Sequence, residues 1–195
     1  MCTFVRPTIR LDAEALRVLA HPLRSRLLTQ LRLHGPATAT ELAAQLTTNS
    51  GASSYHLRKL ESVGLVNDTG EGLGKRRLWA AASDAHEWEP SDFVGDPDAE
   101  ASLSWLTAHY RTTLAERLES WAEAERSWPG HWRDALGTGD DGVRVTHEQA
   151  VALRRELEAV VERYRLAGGE HRDAIRVLVW THLLPLDDRP PQERP

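Results

Sequence analysis

Cysteine and long apolar runs are both scarce in this sequence. Cys2 is the only cysteine among 195 residues, which excludes an internal disulfide framework and any metal site built from several thiolates. A single thiol is also typical of a reducing compartment, so we expect a cytoplasmic protein. The longest apolar stretch, residues 175–186, is interrupted by Arg176, His182 and Pro185 and is too short to span a bilayer. The N-terminus lacks the apolar core of a secretory signal, and we expect no membrane partner.

Catalytic and cofactor motifs are missing as well. The sequence contains no nucleophile elbow, no P-loop and no dinucleotide-binding glycine pattern. The glycine-rich stretch 70–74 precedes a basic segment rather than a helix, so it resembles a phosphate loop only in composition. The nine histidines also lack helical ligand spacing; His109, for example, has only threonines at i+3 and i+4. We therefore predict neither an enzyme nor a bound cofactor or metal.

Charge is distributed unevenly along the chain. The net charge is −5, which by itself argues against nucleic-acid binding. Residues 1–80, however, carry 11 basic and 6 acidic side chains, whereas residues 81–195 carry 13 and 23. A basic N-terminal part beside an acidic C-terminal part suggests a head that binds a polyanion and a body that does not.

Hydrophobic periodicity predicts four short helices and a hairpin at the N-terminal end. The first helix begins near Asp12 and the second restarts after His21-Pro22. A capping box, Thr38 with Glu41, opens the third helix, and Asn49 can cap the fourth. Short strands are predicted at 65–66 and 78–80, joined by a glycine-rich tip that ends in basic residues. This is the order of a winged helix-turn-helix.

The remainder of the chain predicts a second, α+β domain. Residues 83–97 are rich in Asp, Glu and Pro and are interpreted as a linker. A long helix is predicted over 98–128, and Thr146 with Gln149 predicts a capping box for another helix that ends near 166. Short strands are predicted at 143–145 and 174–182. The predicted domains are thus 1–82, the linker 83–97, a domain over 98–184 for dimerisation and effector binding, and a disordered tail over 185–195.

Helical geometry separates the fourth helix into two faces. At about 100° per residue, Ser53, Leu57 and Leu60 lie on the side that would pack inward. The opposite side carries two cations, an aromatic hydroxyl and small residues that permit close approach: Gly51, Ala52, Tyr55, Arg58, Lys59 and Ser62. Such a face fits a major groove, while Lys75, Arg76 and Arg77 on the hairpin can reach phosphates.

Four segments of the sequence resemble the ArsR-type winged helix-turn-helix transcriptional regulators. They are residues 16–28 (LRVLAHPLRSRLL), 41–46 (ELAAQL), 54–66 (SYHLRKLESVGLV) and 74–79 (GKRRLW). The resemblance covers about residues 11–82 and implies a dimeric, sequence-specific DNA-binding protein, usually a repressor that a ligand releases. By position, the resemblance places Ser50, Gly51, Ala52, Ser54, Tyr55 and His56 at or near base edges and phosphates. Gly51 and Ala52 depart from the pattern because neither can donate a side-chain hydrogen bond, so shape readout is expected to contribute more.

The residues that would bind an effector follow from cysteine and tryptophan positions. Metal-sensing members of the family place cysteines in the helix equivalent to residues 41–46, where this chain has Ala43 and Ala44. Tryptophan is unusually abundant, with six of seven located after residue 87. These rings pack a core or dimer interface, or they form an aromatic pocket for a small molecule. The candidate effector residues are Trp105, Trp121, Trp128 and Trp132.

The sequence thus predicts a homodimeric repressor that binds a pseudo-palindromic duplex and responds to a small-molecule effector. One alternative is a winged-helix module that binds protein instead of DNA, which Gly51, Ala52 and the negative net charge favour. Another is a regulator that senses metal or redox state through Cys2 or histidines.

Overall fold

The computed structural model describes residues 8–72, 74, 76–165, 167 and 171–187. These residues divide into two compact units, and the boundary between the units lies between Leu136 and Gly137. The predicted boundary at residues 83–97 therefore differs from the one that the structure has.

The first two helices of the N-terminal unit begin at side-chain caps. In α1 (Ala13–Leu19), the Asp12 carboxylate accepts a hydrogen bond from the backbone N–H of Ala15. In α2 (Pro22–His34), the His21 ring accepts one from the N–H of Leu23. Each cap satisfies an N–H group that has no partner inside its helix.

The next two helices form the helix-turn-helix pair. The predicted capping box is present at α3 (Ala39–Gln45): Glu41 N–H donates to the Thr38 hydroxyl, and the Thr38 N–H donates to the Glu41 carboxylate. Asn49 Oδ1 accepts from the N–H of Ala52 at 2.8 Å and so starts α4 (Ser50–Glu61). Between the two helices, Thr47 has a φ of 53°, a left-handed conformation that reverses the chain direction.

Two small sheets complete the unit. Strand β1 (Ile9–Arg10) pairs in parallel with β5 (His86–Glu87). The other sheet has the order β2-β4-β3, all antiparallel, and consists of β2 (Ala37–Thr38), β3 (Val66–Asp68) and β4 (Leu78–Ala81). The predicted hairpin is confirmed by the β3–β4 pairing, and its tip is the wing.

Leucines from all four helices form one core. Leu16, Leu27, Leu42 and Leu57 come from α1, α2, α3 and α4 in turn, and each is at most 1% exposed. Burying each such side chain contributes about 2 kcal/mol of transfer free energy. This core holds α4 by one face and leaves its other face to solvent.

Residues 83–97, predicted as a linker, instead fold into the N-terminal unit. They contain β5 and a 3₁₀ helix (Pro90–Phe93), and Phe93 is only 2% exposed within the core. Two ion pairs, Arg10–Asp92 and Arg17–Asp96, join this segment to the start of the chain. The acidic and proline-rich composition is typical of a linker, but one aromatic residue, Phe93, packs in the core and holds the segment in the N-terminal unit.

A long helix follows this segment. Helix α5 (Pro97–Ala124) packs its first half against α1 and buries Ala99 and Leu106. It passes into a 3₁₀ turn (Glu125–Ser127), and α6 (Gly130–Ala135) begins after Pro129. The prediction of a helix over 98–128 is confirmed, with its last residues in the 3₁₀ turn.

The described part of the C-terminal unit contains one helix. Thr146 and Gln149 form the predicted capping box, with each backbone N–H donating to the other side chain, and start α7 (His147–Arg165). The strands predicted at 143–145 and 174–182 are wrong: both segments lack regular structure. Alternating residues form a strand only beside a partner edge, and the described residues of this unit offer none. The predicted disordered tail falls mostly on residues 188–195, outside the described residues.

Candidate nucleic-acid interface

The two predicted faces of α4 are present in the structure. Ser53, Leu57 and Leu60 are completely buried, whereas Tyr55 is 51% exposed. The side chains of Arg58 and Lys59 are exposed as well. The inner face therefore fixes the helix on the core, and the outer face presents two cations and a phenol to solvent.

The smaller predicted site residues lie around the start of α4. Ser50 and Gly51 are exposed, and Ala52 and Ser54 are half-buried. Because their side chains are short, the first turn can approach another surface closely. The cap of this turn is Asn49, so the geometry of the small residues depends on one side-chain oxygen.

A cleft of about 300 Å³ runs along one flank of α4. Its walls come from the start of α3, from one side of α4 and from the base of the wing. The residues that line it are Thr38, Ala39, Thr40, Ser50, Ser54, Arg58, Arg76, Arg77 and Trp79. The structure thus brings predicted residues of the helix and of the wing to one place, with three arginines around it.

The two described wing arginines have different surroundings. Arg77 lies 3.4 Å from the Asp68 carboxylate and 3.6 Å from that of Glu61, and its guanidinium also lies over the Trp79 ring. Arg76 is exposed and has no ion pair among the described residues. Lys75 lies outside the described residues. Arg77 therefore braces the wing against α4. Arg76 makes no such ion pair among the described residues; hydrogen bonds from Thr38 lower the pKa of Glu41, and the charge of Arg76 lowers it further.

Tyr55 and Lys59 form a pair on the outer face of α4. The Lys59 ammonium lies 6.0 Å from the centre of the Tyr55 ring, one helical turn away. At this distance the cation–π attraction is weak, of the order of 0.5 kcal/mol at an exposed site. Both side chains therefore remain available to a partner.

His56 lies on the opposite flank of α4 from the cleft. It is half-buried, and its ring centre is 4.4 Å from that of His21. Burial lowers the pKa of both imidazoles, and the nearby charge of Arg24 lowers both further. His56 Nδ1 is buried and has no hydrogen-bond partner among the described residues. His56 thus lies at the edge of the outer face of α4, where its ring packs against His21.

A half-buried polar network connects α2, β5 and α5, and the sequence did not reveal it. The Arg32 guanidinium donates to the backbone oxygen of Ser83 at 3.0 Å and to His86 Nδ1 at 2.5 Å. The opposite ring nitrogen of His86 is 2.6 Å from the Tyr110 hydroxyl. Burial and the Arg32 charge lower the pKa of His86 to about 3, and burial raises the pKa of Tyr110. No local motif signals it, because its members are 24 to 54 residues apart.

The four tryptophans proposed for an effector do not share one site. Trp105 stacks on His109 in the first half of α5, with ring centres 5.1 Å apart. Trp121 lies about 24 Å further along the same helix. There it meets Trp128 edge to face, with ring centres 5.5 Å apart. Trp132 is nearby in sequence, on α6.

Two searches of the described residues bear on other functions. Nowhere in these ranges do three histidine, cysteine, aspartate or glutamate side chains gather into a potential metal site. Within the same part of the chain, every helix is too short or too polar to cross a membrane.

Comparisons with known proteins agree with this architecture. Residues 19–69 match a family described as a helix-turn-helix domain. A segment of 82 residues is 41% identical to the HTH-type transcriptional regulator NmtR of Mycobacterium tuberculosis (strain ATCC 25618 / H37Rv). That alignment covers 38% of this chain and 66% of the regulator.

Two solved structures are also similar. The transcriptional regulator Tm0710 from Thermotoga maritima is 16% identical, with a TM-score of 0.30, over 77% of this chain and 85% of its own. RV1404 from Mycobacterium tuberculosis is 18% identical, with a TM-score of 0.30, over 81% of this chain and 84% of its own.

The helix pair, the capped fourth helix and the β3–β4 wing define a winged helix-turn-helix domain. The sequence matches agree with this class: they lie in the same part of the chain, and the relative that they identify is an HTH-type transcriptional regulator.

Proposed function

We propose that this protein is a transcriptional regulator that binds a specific sequence of double-stranded DNA through α4 and the wing. The observation that supports the proposal most is the outer face of α4, where Tyr55, Arg58 and Lys59 are exposed while the inner face is locked into the core. A major groove about 12 Å wide admits one such helix. The burial of Ser53, Leu57 and Leu60 fixes one face of this helix on the core. On the other face, Arg58 and Lys59 form no ion pair with another described residue.

Each part of the interface has a role in the proposal. Arg58 reads a base edge, because an arginine on the exposed face of a groove-bound helix can donate two hydrogen bonds to guanine. Ser50, Gly51, Ala52 and Ser54 let the first turn approach the bases, and their short side chains leave more of the recognition to DNA shape. Tyr55 and Lys59 contact the backbone or the groove edge.

The wing supplies sequence-independent affinity. Arg76, with Lys75 beside it in the sequence, is placed to neutralise phosphates and release counterions. Arg77 keeps the wing beside α4 through Glu61 and Asp68. The cleft between wing and helix has room for one backbone segment.

We further propose a homodimer that acts as a repressor and occupies a pseudo-palindromic site with half-sites about one helical turn apart. The support for dimerisation is the distal half of α5, where Leu118 is 42% exposed. An effector would change the spacing of the two recognition helices. The Trp121–Trp128 pair is the proposed effector contact, with Trp132 close in sequence, and Trp105 would belong to a separate site.

The proposal is tested by fluorescence anisotropy with labelled duplex from the protein's own upstream region, against a scrambled duplex, at several salt concentrations. We expect tight binding to the first duplex alone. Arg58→Ala should cost about 1–3 kcal/mol on the specific duplex and little on the scrambled one. Arg154→Ala, an exposed helical arginine of the C-terminal unit, makes the same change in charge and should leave both affinities unchanged.

Equal and weak binding to both duplexes would favour a winged-helix module that binds protein. Gly51 and Ala52, which offer no side-chain donors to bases, are the residues that favour this second function. Pull-down with the Arg58→Ala variant as control would then identify whether the same face binds the partner.

A further inference from the structure

Arg24 lies on the flank of α4 that faces away from the wing. It is on the first turn of α2. Burial and then the charge of its guanidinium lower the pKa of His21 and of His56, and the charge of Tyr55 raises the pKa of Arg24 against the effect of burial. These four residues, Arg24, His21, His56 and Tyr55, are named the Arg24 corner. Nothing in the proposed function so far uses Arg24 or His21.

Arg24 is a half-buried cation, and no described residue supplies a counter-charge to it. Its Nε is buried and makes no hydrogen bond within the part of the chain that the structure describes, and no carboxylate pairs with the guanidinium there. Burial lowers the pKa of Arg24, and only the charge of Tyr55 opposes this. Holding an arginine out of water without a carboxylate is unfavourable. Because the folded protein has already removed water from part of the guanidinium, an anion that binds there loses less free energy to desolvation.

The neighbouring side chains add neutral hydrogen-bond donors. His21 Nδ1 accepts from the N–H of Leu23 at 3.2 Å, which places the proton of the neutral ring on Nε2. His56 stands against it with ring centres 4.4 Å apart, and the exposed Tyr55 hydroxyl is next along α4. The Arg24 cation with the neighbouring His21, His56 and Tyr55 side chains matches a phosphate, because phosphate oxygens can accept a hydrogen bond from each donor.

The position of the corner relative to α4 identifies which phosphate. Ser54 and Arg58 line the cleft beside the wing. His56 is two residues after Ser54, about 200° around the helix axis, and therefore borders the other side of the outer face. A helix in a major groove has a sugar-phosphate backbone along each side, so the cleft and the Arg24 corner would face opposite strands.

We infer that the Arg24 corner binds a backbone phosphate of the DNA strand opposite the one that the wing contacts, with Arg24 as the charged ligand. This inference rests on the proposed function. In this arrangement a cation lies on each flank of the recognition helix α4, Arg76 on one side and Arg24 on the other, and each contacts one DNA strand.

The test uses the full chain with Arg24→Gln, Arg24→Lys and, as matched control, Arg26→Gln. Arg26 is an exposed arginine on the same helix whose charge is felt by His109 of α5 rather than by α4. Arg24→Gln should weaken binding about tenfold on both the upstream and the scrambled duplex. It should also reduce the slope of log affinity against log salt by about 0.9. Arg24→Lys should keep the slope, and Arg26→Gln should keep slope and affinity.

Urea unfolding of the same variants separates binding from folding. Because no described residue gives Arg24 a counter-charge, Arg24→Gln should unfold at the same urea concentration as the wild type or a higher one while its DNA affinity falls. A fall in both, with Arg24→Lys equally weak in binding, would show a structural role and overturn the inference. If the wild type binds the upstream duplex and Arg24→Gln binds it with the same affinity and salt slope, the inference is overturned and the proposed function stands. A wild type that binds neither duplex would overturn the proposed function and the inference together.

Discussion

Arg76 and Arg77 are adjacent on the wing, and their different surroundings predict contributions of different size to DNA binding. Arg76 has no ion pair among the described residues, whereas Arg77 is shared by Asp68 and Glu61 at 3.4 and 3.6 Å. A cation already neutralised in the free protein releases fewer counterions from DNA.

We therefore expect Arg76→Ala to reduce the salt slope by about one and to weaken binding to all sequences alike. Arg77→Ala should reduce the slope by less than half as much. Anisotropy titrations of both variants across a salt series check this. A larger change in slope for Arg77→Ala than for Arg76→Ala would show that the carboxylates release Arg77 when DNA binds.

The lowered pKa of the single residue His86 predicts that the stability of the fold depends on pH. Its pKa is about 3 in the folded chain and near the ordinary value of 6.5 in the unfolded chain. Below pH 6.5 the unfolded state therefore binds more protons, and stability falls as the pH falls, levelling off below about 3. From pH 7 to pH 5 the free energy of unfolding should drop by about 2 kcal/mol from His86 alone.

Urea unfolding of the wild type and of His86→Gln at several pH values measures this contribution as the difference between the two curves. The other histidines titrate in both proteins, so their contributions cancel. If the two curves run parallel between pH 7 and pH 5, the buried neutral imidazole is not the cause of the acid sensitivity.

Tyr110→Phe tests the same network from its far end. The variant removes the hydroxyl partner of His86 and leaves a half-buried ring N–H without that acceptor, which should cost about 1 kcal/mol of stability. Tyr164→Phe removes a hydroxyl that is exposed on α7 and should change the unfolding free energy little. Chemical denaturation of the two variants gives the comparison, and equal losses would argue against a special role for the buried hydroxyl.

At the scale of elements, α4 depends on one cap. Asn49 Oδ1 supplies the acceptor that the first turn lacks, at 2.8 Å from the N–H of Ala52. Asn49→Ala should lower the free energy of unfolding by about 1 kcal/mol, and Asn49→Ser should restore most of it because serine also caps. The urea midpoints of the three proteins decide the matter; a serine variant no better than alanine would contradict the capping argument.

The predictions for individual elements differed in quality for a physical reason. The faces of α4 and the two capping boxes follow from residues within one or two helical turns, and the β3–β4 hairpin from strands joined by one short loop; all are present. The strands at 143–145 and 174–182 needed a partner edge that no local pattern guarantees. The same holds for residues 83–97, whose order depends on Phe93 finding the leucine core.

At the scale of the whole molecule, the distal half of α5 predicts self-association. Leu114 and Trp121 are half-buried and Leu118 is exposed, and the three lie on one stripe at spacings of three and four residues. We expect light scattering after size exclusion to give about twice the 21.8 kDa chain mass. Leu118→Glu should return one chain mass, whereas Arg117→Glu, on the neighbouring exposed position, should not. A monomeric wild type would refute this interface.

The uneven charge also belongs to this scale. The excess of basic side chains in residues 1–80 supports a DNA-binding head despite the net charge of −5, because the cations that matter are grouped around α4. The identity of those cations could be predicted in part. Arg58, Lys59, Arg76 and Arg77 came from local pattern, but nothing local indicated Arg24, which reaches α4 only through the packing of α2 on α4.

The sequence by itself determined the order of the helices, their caps, the buried face of α4 and the class of domain, since each depends on helical period, turn chemistry or side chains close along the chain. Only the tertiary structure decided that Arg77 is neutralised and that His56 faces His21. It also decided that Arg24 lacks a counter-charge among the described residues and that His86 packs against Arg32. These features depend on which distant side chains share a space after packing. Burial and partner distance, which set charge and pKa, exist only once that packing is complete.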